Sequence, residues 1–108
     1  MLSSDSIRGY NDAMILTVLA RGDSYGYQIA KQIAANSQDT YSMRETTLYS
    51  VLTRLVKDGL IEAYPGEISY GRPRTYYHVT ASGHQYLADK KTEWQELKTV
   101  VDRFLMEE

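Results

Sequence analysis

The sequence predicts an α+β fold, mainly α: three short helices, then a β-hairpin, then one long closing helix. Two observations carry this. Apolar residues recur at helical spacing in four separate stretches. Between the third and fourth, the pattern changes to aromatic and β-branched residues interrupted by glycine and proline, the composition of a hairpin.

The first helix is expected from Asp5 to about Ala20. Ser4 or Asp5 caps it, and Ile7, Met14, Ile15, Val18 and Leu19 form its core side. Gly9 weakens its first turns by roughly 1 kcal/mol relative to alanine. Arg21-Gly22-Asp23 is a turn signal. Ser24 is expected to cap the second helix, Tyr25 to about Ala35, with Tyr25, Ile29 and Ile33 facing inward. Asn36 to Tyr41 is a polar connection. The third helix is expected to open on a capping box, Ser42 with Glu45, and to close on Gly59 in the left-handed C-terminal position. Leu48, Val51, Leu52, Leu55 and Val56 make its apolar face. The other face carries Thr46, Thr47, Tyr49, Ser50, Thr53, Arg54 and Lys57, with no acid between Thr46 and Lys57. The second and third helices form a helix-turn-helix candidate with a long turn.

Ile61, Ala63 and Tyr64 begin a strand that Pro65-Gly66 is expected to break. Arg74 to Val79 is the second strand, with Tyr77 and Val79 on one face and Tyr76 and His78 on the other. Glu67 to Pro73 is read as a loop with a cationic tip. Three helices and a basic-tipped hairpin make a winged helix-turn-helix. Thr80 then caps the final helix. Leu87, Trp94 and Val101 fall seven apart, Leu97 and Phe104 take the position three later, and Val100 and Leu105 widen the stripe. About 25 residues at 1.5 Å each make a rod of roughly 37 Å, longer than an 80-residue domain can cover. Residues 1–80 are therefore expected to form the winged domain. Residues 81–108 are expected to be a dimerisation helix meeting a second copy about a two-fold axis.

Composition sets limits. The 108 residues hold no cysteine, which excludes a disulfide framework and a thiolate metal site. Residues 1–5 have no basic region followed by an apolar core, and the run from Ala13 to Ala20 is too short for a bilayer. A soluble, cytoplasmic protein without a membrane partner is expected. Residues 1–80 hold eight Lys/Arg and eight Asp/Glu, and residues 81–108 hold four and six. Bulk charge therefore gives nucleic-acid binding no support. Such a function must rest on Arg44, Arg54, Lys57, Arg72 and Arg74, all within 31 residues.

Several segments resemble the PadR family of bacterial transcriptional regulators. Tyr25-Gly26-Tyr27 with Ile29 is similar to its second-helix motif. Thr47-Leu48-Tyr49 with Leu52, Arg54, Leu55 and Gly59-Leu60-Ile61 is similar to its recognition-helix block. Gly71-Arg72-Pro73-Arg74, Tyr76-Tyr77 and Thr80-x-x-Gly83 resemble the wing and its exit. Ser50 stands where the family commonly has proline, and Thr75 where a lysine often precedes the paired tyrosines. A single C-terminal helix matches its shorter members. The resemblance implies a homodimeric repressor that binds a palindromic operator in double-stranded DNA and releases it on binding a small molecule.

Each candidate residue has a plainer reading beside it. Thr46, Thr47, Ser50 and Arg54 would reach base edges in a major groove, with Tyr49 and Lys57 on phosphates, and Arg44 and Thr53 are further candidate DNA contacts. The plain alternative is a solvated helix face. Arg72 and Arg74 would enter a minor groove or clamp its phosphates; alternatively they protect an edge strand from aggregation. Leu87, Trp94, Leu97, Val101 and Phe104 are the dimerisation residues. Trp94 either only packs there or also stacks against a small planar apolar effector. His78 and His84 lack carboxylate or cysteine partners at ligand spacing, so no metal site and no cofactor are expected. No catalytic motif occurs, and an enzyme is not expected. The rival to a DNA-binding regulator is a winged helix that mediates only protein contacts.

Overall fold

Burial decides where the first helix runs. The computed structural model describes residues 7–106, and the expected caps Ser4 and Asp5 lie outside the described residues. A 3-10 turn at Arg8–Tyr10 leads into α1, Asn11–Ala20. Helix α1 is central: Ile15, Leu16, Val18 and Leu19 are buried, as are its polar residues Asn11 and Asp12.

A short strand that the sequence reading missed, β1 (Ser24–Tyr25), precedes α2, Gly26–Asn36. Ser24 does not cap α2. It is buried in β1, pairs with Tyr77, and donates its hydroxyl to Gln28 Oε1 at 2.5 Å. The N-cap falls to Tyr25, which is half-buried and lies in the sheet rather than in the helical core. Ile29 and Ile33 face inward as expected.

Helix α3 spans Glu45–Lys57, so the capping box is not formed. Its N-cap is Arg44, in extended backbone at ψ 146°. The cause is packing. Tyr41 and Met43 are buried while Ser42 and Arg44 are exposed, an alternation only extended chain can produce. Tyr41 also donates to Asn11 Oδ1 at 2.7 Å, tying this segment to α1. Leu48, Leu52 and Leu55 anchor α3, but Val56 is exposed. Gly59 takes φ +75° and closes the helix: its N–H bonds Val56 O, and the N–H of Leu60 reaches Leu55 O at 2.9 Å. This is the paired-bond terminus for which glycine is favoured.

The wing is one continuous hairpin. Strands β2 (Ile61–Ser69) and β3 (Arg72–Val79) pair antiparallel, and the sheet order is β1-β3-β2. Pro65-Gly66 does not break β2. An edge strand tolerates proline, and the irregularity is absorbed as a register shift between Pro65 and Ile68. The expected loop of 67–73 shrinks to Tyr70-Gly71, with φ +53° and +77°, the two-residue turn that right-handed strand twist prefers.

Thr80 caps the last helix, α4 (Ala81–Leu105), its side chain accepting from the Gly83 N–H at 3.1 Å. Leu87 is buried in this chain's own core, contrary to its expected place in an intermolecular stripe. Beyond Lys90, α4 is largely exposed, and the chain extends 59 Å along its longest axis.

Candidate nucleic-acid interface

The outer face of α3 follows from its anchors. With Leu48, Leu52 and Leu55 turned inward, the 3.6-residue repeat sends Thr46, Tyr49, Ser50, Thr53, Arg54 and Lys57 outward. All six are exposed, Thr47 is half-buried, and Arg44 is exposed just before the first turn. Arg54 and Lys57 occupy the last turn, where the helix dipole favours cations. The Thr53 hydroxyl donates to Tyr49 O at 2.9 Å, leaving its oxygen as an acceptor.

Tyr49 leans over the start of α2. A Cβ at Gly26 would overlap the Tyr49 hydroxyl and stand 2.7 Å from its Cζ, so only glycine admits the phenol there. Tyr49 thereby helps line a cleft of about 580 Å³ between α2, α3 and the wing, with Tyr25, Tyr27, Tyr70, Arg74 and Tyr77. Tyr27, 66% exposed beside this cleft, figures in the sequence reading only as part of the Tyr25-Gly26-Tyr27 motif and not as a site residue.

Two arginines have partners that the sequence did not show. Arg74, on β3 as expected, is half-buried, with Nη1 at 3.2 Å from Glu67 Oε1 and its guanidinium 4.3 Å above the Tyr25 ring. Glu67 also accepts from Tyr76 at 2.7 Å. That hydrogen bond is the main cause raising the Tyr76 phenol pKa, with burial second. The tip itself presents Arg72, Ile68 and Tyr70, the last fully exposed. The tight Tyr70-Gly71 dipeptide was the available signal for this tip. Arg54 is likewise not purely outward, since Nη2 stands 3.8 Å from Asp12 Oδ2 on α1.

His78 has a carboxylate partner after all. Its Nδ1 lies 2.8 Å from Asp23 Oδ1, and Tyr64 donates to Asp23 Oδ2 at 2.5 Å. The pair escaped notice because 55 residues separate it in sequence. The Tyr64 hydrogen bond first, and the His78 contact second, hold the Asp23 carboxyl below its usual range. No cluster of three or more His, Cys, Asp or Glu that could hold a metal occurs among the described residues. None of their helices is long and apolar enough to cross a membrane.

On the other side of the molecule, α1 and α4 frame an apolar groove of about 720 Å³, lined among others by Tyr10, Met14, Val18, Trp94 and Leu97. Trp94 meets Tyr10 edge-on, with ring centroids 5.5 Å apart at 74°. From there the exposed apolar stripe continues through Leu97, Val100, Val101, Phe104 and Leu105.

Residues 15–89 match the transcriptional regulator PadR-like family. The chain belongs to this family. PadR proteins are regulators, not enzymes. A transcriptional regulator from Clostridium thermocellum superposes at a TM-score of 0.90, is 46% identical, and is covered over 97% of this chain and 99% of that one. A PadR family regulator from Clostridium difficile is 38% identical at a TM-score of 0.77, over 90% and 99% of the two chains. The Bacillus subtilis PadR, in a crystal structure with operator DNA, is 26% identical at a TM-score of 0.65, over 72% of this chain and 45% of that one. The winged-helix fold expected from the sequence is thus that of the PadR structures.

Proposed function

We propose that this PadR protein is a homodimeric repressor that binds a palindromic operator through α3 and the wing, and releases it on taking up a small planar apolar effector. The observation that carries the reading is the exposed α3 face, rich in hydroxyls and cations and without an acid from Thr46 to Lys57. The complex of the Bacillus subtilis relative with operator DNA supports extending it to this chain. Residues 1–80 act as the DNA-binding unit. Ser50, Thr46, Thr47, Thr53 and Arg54 face base edges, and Arg44, Tyr49, Lys57 and Arg72 face phosphates.

Dimerisation falls to α4 beyond its docked first half. Trp94, Leu97, Val101 and Phe104 lie on a stripe too apolar and too long for a solvated helix face. A second copy related by a two-fold axis covers that stripe with its own. The groove containing Trp94 takes the effector, because a flat indole wall beside Tyr10 suits a planar apolar molecule.

Footprinting on DNA upstream of the chain's own coding region tests this. Two protected half-sites should appear with centres about 34 Å apart or a multiple of it. Light scattering should give the mass of two chains. A monomer, or retention on DNA insensitive to sequence and salt, would overturn the reading and leave α3 as a face for protein contacts.

A further inference from the structure

Asp12 is the only buried acid among the described residues, and it joins three helices. Its Oδ1 accepts from the Ala13 N–H at 2.7 Å, in the first turn of α1 where negative charge is favoured. Its Oδ2 is contested. Tyr86 of α4 donates to it at 2.5 Å, while Arg54 of α3 stands 3.8 Å away. A bonded guanidinium would close to about 2.7–2.9 Å, so Arg54 is held near Asp12 without being captured. Its side chain stays 55% exposed on the outer face of α3.

We infer that Tyr86 is a positioning residue for Arg54: by occupying Asp12 Oδ2 it keeps the guanidinium available to DNA. This rests on the operator-binding reading above. When the Tyr86 bond is lost, Oδ2 passes to Arg54, which folds back onto Asp12 and leaves the nucleic acid. Burial and the Asp12 bond push the Tyr86 phenol up to about 12, so the hydroxyl remains a donor at every physiological pH. Tyr86 stands on the same helix as Trp94, about 12 Å along its axis. A shift of α4 caused by its partner or by an occupied groove therefore reaches α3 through one shared oxygen. No rearrangement of the hydrophobic core is required.

The test measures operator affinity and its salt dependence by fluorescence anisotropy, using the full chain. Tyr86→Phe removes one hydroxyl and should weaken binding about five- to tenfold, the scale of one captured charge-assisted contact. Because Arg54 faces base edges, the loss should fall on operator DNA rather than on unrelated DNA, with the slope of log affinity against log salt little changed. In an Arg54→Ala background the same change should have no further effect. Asp12→Asn added to Tyr86→Phe should restore the affinity of Asp12→Asn alone, because a neutral amide cannot hold the guanidinium as tightly. An unchanged affinity for Tyr86→Phe, or an equal loss with and without Arg54, overturns the inference while leaving operator binding intact. Failure of the unmodified chain to bind the operator removes both. A Tyr86→Phe chain that lacks the helical circular dichroism of the parent shifts the decision to Asp12→Asn. That variant should bind at least as tightly as the parent, and a loss of binding then overturns the inference.

Discussion

Replacing Gly83 with alanine sets two effects of opposite sign against each other. Gly83 lies in the first turn of α4, where alanine in place of glycine contributes about 1 kcal/mol of helix propensity. Against this, a Cβ at Gly83 would overlap the Leu60 carbonyl oxygen and stand 2.7 Å from Val79 Cγ2. The carbonyl cannot easily retreat, because it accepts the Thr80 N–H at 3.1 Å and lies 3.0 Å from the Thr80 hydroxyl. Relieving the overlap means moving α4 away from the wing base. Overpacking of this kind costs about 1–3 kcal/mol, and weakening the Thr80–Leu60 bonds adds about 1 kcal/mol. The clash wins by about 2 kcal/mol, a fall in melting temperature of roughly 8–15 °C for a domain near this size. Far-UV circular dichroism melts read this, at one fixed protein concentration because any dimer makes the midpoint concentration-dependent. Gly9→Ala is the control. Its Cβ would have no heavy atom within 4 Å, so it should be neutral or stabilising by up to about 1 kcal/mol. Gly83→Ala melting at or above the parent would show that α4 does not dock on the Leu60 carbonyl as described.

The wing arginines should separate in a salt titration of operator binding. Arg72→Ala should lower the salt slope by about one, and Arg74→Ala by less, because Glu67 already neutralises Arg74; equal slopes would refute this division. Asp23 supplies a pH prediction. Its folded pKa is depressed, so its stabilising contribution is present above the unfolded value of about 3.9 and is lost as pH falls through the lower folded value. Asp23→Asn should therefore flatten the fall in urea midpoint between neutral and strongly acidic pH, and an unaltered fall would remove the Tyr64–Asp23–His78 cluster from the account.

Elements set by local pattern were legible, and those set by contacts distant in sequence were not. The Gly59 terminus, the Thr80 cap and the length of α4 are each encoded within a few residues, and each is present. The Ser42–Glu45 capping box failed because burying Tyr41 and Met43 outweighs one side-chain bond at a helix start. Strand β1 has only two residues and exists because Tyr76 and Tyr77 lie opposite it, information no window around Ser24 contains. The exposed α3 face could be read from helical spacing alone. The approach of Arg54 to Asp12 could not, since the two lie on different helices far apart in sequence, and the Arg74–Glu67 pair could not because, only 7 residues apart, it depends on the hairpin register. A single acid in the apolar run of α1 was the available hint for Asp12.

That distinction also answers the objection from net charge. A balance of eight cations and eight acids in residues 1–80 suggests a neutral surface. The fold does not distribute them evenly. Asp12 is buried with Tyr86, Asp23 is occupied by Tyr64 and His78, and Glu67 is shared by Arg74 and Tyr76. Three acids are thus spent on internal partners, while Arg44, Lys57 and Arg72 remain exposed. Beyond a Debye length of about 10 Å, the remaining charges largely cancel, so long-range steering towards DNA is weak. At contact distance the cancellation is only partial, because the stretch from Thr46 to Lys57 carries cations and no acid, and the exposed Glu45 and Asp58 stand only at the two ends of α3. On the proposed operator-binding reading, recognition through α3 is consequently a short-range matter, in which moving one guanidinium by an ångström changes more than altering the total charge.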